Sequence, residues 1–141
     1  MLIGYFRQKK GVFMARVMIV DDAKVMRVHL GNMLKKLRHE IIAEAESGYA
    51  AVELYKHHKP DFVTIDITIP FEPSTHDFSQ VKDGIEAVKQ IKLEFPDAKI
   101  VMVSSHGEQD KVIRAIQNGA SNYLLKPIDM NKLEEVLEKL L

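Results

Sequence analysis

Apolar and polar positions along this chain switch repeatedly between two periods. Four short runs, Val17-Met18-Ile19-Val20, Phe62-Val63-Thr64-Ile65, Ile100-Val101-Met102-Val103 and Asn122-Tyr123-Leu124-Leu125, are too short for helices, and the first three are rich in β-branched residues. Such runs read as buried strands of a parallel sheet. Ile41-Ile42-Ala43-Glu44-Ala45-Glu46 predicts a further strand, which Ser47-Gly48 breaks. Between the strands the apolar residues recur at helical spacing: Met26, Leu30, Met33, Leu34 and Leu37; then Val52, Leu54 and Tyr55; then Ile85, Val88, Ile91 and Phe95, closed by Pro96-Asp97. Val112, Ile113 and Ile116 predict a fourth helix that Asn118-Gly119 stops. Asp129 is placed to cap a fifth, whose Leu133, Val136, Leu137, Leu140 and Leu141 form a leucine-rich face.

Five strands alternating with five helices predict an α/β fold, a doubly wound parallel sheet with right-handed crossovers covering both faces. The known order 2-1-3-4-5 suits five strands, and its switch point falls between strands one and three. Parallel strands all end on one rim. The residues just past the strand ends are polar: Asp21-Asp22, Asp66, Ser104-Ser105 and Lys126-Pro127.

Three carboxylates meeting at one rim repel strongly, since two unit charges about 4 Å apart cost on the order of 4 kcal/mol at an effective dielectric near 20. A hard divalent cation relieves this. Magnesium is favoured over calcium because few ligands are offered and room is left for water and phosphate. Lys126 supplies a second positive charge. A carboxylate between a metal and an ammonium is a poor base but a workable nucleophile toward phosphorus, and Asp66, alone at the middle strand's end, is the candidate acceptor. Each element taken singly has a plainer reading. The Asp pair can cap a helix, Asp66 can start an Asx turn, Ser104-Ser105 can cap the next helix and Lys-Pro can be an ordinary loop. Their conjunction at the same strand ends is what points to chemistry.

Composition narrows the classes further. A chain of 141 residues with 46% hydrophobic residues has enough material for one domain core and no second module. Twenty basic and twenty acidic residues cancel, so no global field draws nucleic acid or an anionic membrane. Absence of cysteine excludes disulfides and thiolate metal sites. No apolar stretch approaches the roughly 20 residues of a membrane span, and Met1 to Phe6 precede Arg7, Lys9 and Lys10, the reverse of a signal peptide's order. A cytoplasmic protein is expected.

From about Ala15 to Leu141 the sequence resembles the receiver domain of two-component response regulators. Val20-Asp21-Asp22 looks like that family's acidic pair, Asp66-Ile67-Thr68-Ile69-Pro70 like its phosphoacceptor segment, Val103-Ser104-Ser105 like its hydroxyl segment and Lys126-Pro127 like its lysine. The resemblance implies a flavodoxin-like fold, a cis Lys126-Pro127 bond, and Mg²⁺ bound by Asp22, Asp66 and the Thr68 carbonyl, with Asp21 acting through water. It implies phosphorylation of Asp66 by a histidine kinase. It also implies a switch in which Ser104 bonds the phosphoryl group and Tyr123 rotates inward, changing the surface of helix four, strand five and helix five for a protein partner. A stand-alone receiver is expected, monomer or weak dimer, serving chemotaxis, a phosphorelay or control of a separate enzyme.

Three features depart from the pattern. Residues 1–14 match nothing in the family. The Asp83-Gly84 pair comes only after the twelve residues Phe71 to Lys82, about ten more than usual, so an insertion at 71–82 leads from beside Asp66 into helix three as a lid, a partner-contact loop or a plain surface excursion. His106 is expected to face solvent, with orientation of attacking water as the alternative. Two other function classes compete. A haloacid-dehalogenase-like phosphohydrolase wants a second aspartate where this chain has Thr68. A receiver-like binding module without phosphorylation predicts an eroded site.

Overall fold

The computed structural model describes residues 14–72 and 84–141. The expected N-terminal extension therefore lies outside the described residues except for Met14, as does the insertion except for Phe71 and Glu72. The elements run β1 (Arg16–Val20), α1 (Lys24–Lys36), β2 (Glu40–Ala45), α2 (Gly48–His58), β3 (Phe62–Asp66), α3 (Gly84–Glu94), β4 (Ile100–Ser104), α4 (Gln109–Gln117), β5 (Asn122–Leu125) and α5 (Met130–Leu140). The strands form one sheet in the order β2-β1-β3-β4-β5, every pair parallel, as the alternation predicted.

Both faces of this sheet are covered, which explains why β3 and β4 are buried at every position and read as unbroken apolar runs. Successive side chains serve different cores. Met18, Val20, Val63, Ile65, Ile100 and Met102 pack with residues of α2, α3 and α4. Val17, Ile19, Phe62, Val101, Val103 and Leu124 pack with Leu30 and Leu34 of α1 and Leu133, Val136 and Leu137 of α5. The leucine-rich face of α5 is thus largely spent inside the domain. Ser47 caps α2 by accepting from the Ala50 amide at 3.1 Å, and Asp129 caps α5 by accepting from the Asn131 amide at 2.8 Å. Gly119, at φ +112°, ends α4 as expected.

Two expectations shift. β2 begins at Glu40 and ends at Ala45, one residue earlier than the apolar pattern placed it, because Arg16 pairs with Glu40 and the bulge between Val17 and Met18 resets the register. In α4 the buried residues are Val112 and Ala115, whereas Ile113 and Ile116 stand 55% and 41% exposed. The helix carries two apolar stripes, and the sheet covers only one.

Candidate functional site

Register brings the polar residues to one rim. Val20 pairs with Ile65 and Asp66 with Val103, while Ser104 pairs with Leu125, so the ends of β1, β3, β4 and β5 lie nearly level. Asp21, Asp22 and Asp66 each present a carboxylate oxygen within 4.8 Å of the others. Asp21 and Asp66 are buried and Asp22 is exposed. Lys126, after the edge strand β5, reaches past the end of β4. Its Nζ donates to Asp66 Oδ2 at 3.1 Å and to Asp21 Oδ2 at 3.3 Å. The Lys126-Pro127 bond is cis.

Local hydrogen bonds settle the plainer readings. Asp66 does form an Asx turn: its Oδ1 accepts from both the Thr68 amide and the Thr68 hydroxyl at 3.0 Å. That leaves Oδ2 for Lys126. The acidic pair, in contrast, does not cap α1. The N-cap is Ala23, which makes no side-chain cap, and Asp21 Oδ1 takes the Ala23 amide at 2.9 Å while Asp22 stays open. Ser104-Ser105 does not cap α4 either, whose N-cap is Glu108. Ser104 is instead 1% exposed, and among the described residues its hydroxyl has no hydrogen-bond partner. A buried, orphaned donor beside a charged cluster is an uncommon expense and suits an acceptor arriving from outside.

Electrostatics reflect burial and pairing. Burial pushes the Asp21 carboxyl above its ordinary value, the Ala23 amide opposes this, the Asp66 charge adds to the rise and Lys126 subtracts from it. Burial pulls the Lys126 ammonium down, but the charges and hydrogen bonds of Asp66 and Asp21 outweigh it and hold the group above the ordinary lysine value. The donor set around this ammonium is all hard carboxylate oxygen, suited to Mg²⁺ or Ca²⁺ and unsuited to soft metals.

The remaining sequence-predicted residues lie around this rim. Tyr123 is 44% exposed on the edge strand, turned away from the core. His106 lies exposed in the loop after β4. Thr68 comes two residues after Asp66, with its hydroxyl committed to that carboxylate rather than free for acid–base work. Two residues went unmarked in the sequence. Thr64, directly before Ile65 in β3, carries a fully buried hydroxyl without a partner among the described residues. Arg27 of α1, only 7% exposed, reaches back to the acidic loop. Its signal was its spacing, since it shares a stripe with Leu30, Gly31 and Leu34, the buried residues of that helix. No helix among the described residues is long and apolar enough to cross a membrane.

Comparison with known proteins agrees with this geometry. A family described as "Response regulator receiver domain" matches residues 17–138. The chain is 44% identical over 126 residues to a chemotaxis protein CheY of Bacillus subtilis, covering 89% of this chain and 97% of that one. It is 42% identical to the chemotaxis protein CheY of Thermotoga maritima, covering 88% and 95%. A crystal structure of a LuxR-family two-component response regulator from Aurantimonas superposes with a TM-score of 0.77 at 29% identity, covering 90% of this chain and 84% of that one. With parallel strands in the order 2-1-3-4-5, an acidic triad and a lysine bridging two of its members, the chain belongs to the response regulator receiver domain family, whose members are signalling phosphoacceptors.

Proposed function

We propose that this receiver takes a phosphoryl group from a histidine kinase onto Asp66 in an Mg²⁺-dependent reaction and signals through the face formed by α4, β5 and α5. The observation that carries this reading is the pair of hydrogen bonds that Lys126 donates to Asp66 and Asp21 across the end of β4, where the Ser104 hydroxyl is buried without a partner among the described residues. In the transfer, an Asp66 oxygen forms a bond to phosphorus as the bond from phosphorus to the donor imidazole nitrogen breaks. The Lys126 ammonium neutralises phosphoryl oxygens, and Ser104 donates a hydrogen bond to one of them. Asp21, Asp22 and Asp66, with the Thr68 carbonyl, would hold the Mg²⁺, which when bound offsets the charge gathered on the carboxylates and the phosphoryl group.

Inward movement of Ser104 toward that group opens room for Tyr123 to leave its exposed position. A partner that prefers the inward state then shifts the population. The exposed apolar side chains Ile113 and Ile116 on α4 and Tyr123 and Leu125 on β5 supply contact area for a protein target. The chemotaxis relatives favour a target of that pathway. We take the receiver as 15–141, with Phe71 to Lys82 as its insertion. Phosphotransfer from radiolabelled histidine kinases tests the function. Label is expected on the wild type and not on Asp66→Asn, and equal labelling of the two would overturn the assignment.

A further inference from the structure

Asp21 is held at every polar atom, and only one of its partners belongs to a helix side chain. Its amide donates to the Ala45 carbonyl of β2 at 3.0 Å, its Oδ1 accepts from the Ala23 amide, and its Oδ2 accepts from Lys126. The remaining atom is its backbone carbonyl, which accepts from Arg27 Nη1 at 2.7 Å. The same guanidinium donates from Nε to Glu44 Oε1 at 2.8 Å and meets Glu46 Oε1 from Nη2 at 3.4 Å. The arginine side chain is 8% exposed, while Glu44 and Glu46 are 50% and 71% exposed. A buried charge persists only when it is paired and hydrogen-bonded, and here the pairing ties three segments together: the β1–α1 loop, the first turn of α1 and the end of β2.

We propose that Arg27 is a positioning residue for the cation site: clamped by Glu44 and Glu46, its guanidinium holds the Asp21 carbonyl and so sets where the Asp21 and Asp22 carboxylates stand. This rests on the reading that those carboxylates bind Mg²⁺. The peptide joining Asp21 to Asp22 is the unit that Arg27 grips. Without it the carbonyl of a residue that is 5% exposed has no partner, and the peptide plane turns to find one. Both carboxylates hang from that plane. A planar fork makes this clamp with donors on three separate nitrogens; a lysine at the same place carries all its donors on one nitrogen and lacks that fixed spacing.

The direction of the effect separates positioning from charge. If Arg27 acted only as a nearby cation, removing it would tighten Mg²⁺ binding. If it positions the acids, removing it loosens binding, and loss of a partner that orients metal ligands lowers affinity about 10–100-fold. The test is calorimetric or NMR titration of the full chain with Mg²⁺, using wild type, Arg27→Gln, Arg27→Lys and the double variant Glu44→Gln/Glu46→Gln, with Asp66→Asn as a control. Arg27→Gln is expected to bind at least about tenfold more weakly, with Arg27→Lys and the glutamate pair in between. In metal-free protein the Asp21 and Asp22 amides of Arg27→Gln should exchange with solvent faster than its unfolding equilibrium accounts for. Affinity equal to or tighter than wild type in Arg27→Gln would overturn the proposal. Should that variant not fold, unchanged affinity in both of the others overturns it equally. A wild type that binds no Mg²⁺, or an Asp66→Asn that binds it as wild type does, would sink the reading of the site itself.

Discussion

Replacing Lys126 with methionine keeps the apolar stem and removes the ammonium that touches both Asp66 and Asp21. Each contact, at 3.1 and 3.3 Å, is worth on the order of 5 kcal/mol at an effective dielectric near 20. Most of that gross attraction offsets the cost of desolvating the three groups. Removing one partner of a fully buried pair costs roughly 3–5 kcal/mol. The Lys126 side chain keeps 21% of its exposure, so solvent screens part of the loss, and about 2–3 kcal/mol remains as the expected destabilisation. For a domain of this size that lowers the melting midpoint by roughly 10 °C. The deficit has a pH signature. The ammonium lies above its ordinary value when folded, so its contribution is complete below the ordinary lysine range and is lost as pH rises through the folded value. Burial holds the Asp21 carboxyl above its ordinary value, so Asp21 takes up its proton early in acid and its share of the gap between the two proteins closes as pH falls. Magnesium supplies the missing charge and has no ammonium to displace in the variant, so a saturating dose should raise the variant's midpoint more than the wild type's. Thermal melts of both proteins in EDTA from pH 3 to pH 11, and in excess Mg²⁺ at pH 7, read all three effects. Equal midpoints at pH 7 in EDTA, or equal gains from Mg²⁺, would refute the reasoning.

A Cβ on Gly84 would lie 2.6 Å from the Asp66 carbonyl oxygen and 3.1 Å from the Ile67 Cα. Gly84→Ala should therefore destabilise the fold by about 1–3 kcal/mol despite alanine's better helix propensity, and it should shift the Asp66 resonances; a variant at least as stable as wild type contradicts this. His39 accepts the Ala15 amide on Nδ1 at 3.1 Å, and burial pulls its imidazole below the usual histidine value. The unfolded chain then takes up that proton first, so stability should fall as pH drops below about 6.5, by at most about 1.4 kcal/mol per pH unit. Urea titrations at pH 7 and pH 5 on wild type and His39→Asn check it, and equal slopes would count against it. Thr64 lines a cavity of about 10 Å³ together with Ile19, Leu30, Val103, Asp21 and Lys126. Thr64→Val, of the same shape, should raise stability by about 1 kcal/mol in denaturant unfolding, and a loss would show that the hydroxyl is satisfied through solvent.

The strand ends were legible because parallel strands buried on both faces write themselves as continuous apolar runs, and the polar residue that stops each run is the one on the rim. Asp66, Ser104 and Lys126 each stand directly after such a run. Arg27 was not legible, because an arginine among helical residues reads as part of a solvated face, and its partners Glu44 and Glu46 sit seventeen and nineteen residues away, in β2 and just past its end. Gly84 was visible only as half of the displaced Asp83-Gly84 pair; its close approach to the Asp66 carbonyl comes from tertiary packing. Ile113 and Ile116 show the opposite limit. Periodicity reveals that a helix has an apolar stripe, not whether anything covers it. The start of β2 escaped for a related reason, since Glu40 is polar and its place in the strand comes from pairing with Arg16.

The most direct measurement of the central claim is intact mass after incubation with acetyl phosphate and Mg²⁺. The wild type should gain one phosphoryl group, lose it on standing, and gain none when EDTA replaces the metal or when Asp66 is changed to asparagine. An unchanged mass, or an equal gain on the Asp66→Asn protein, would contradict the account.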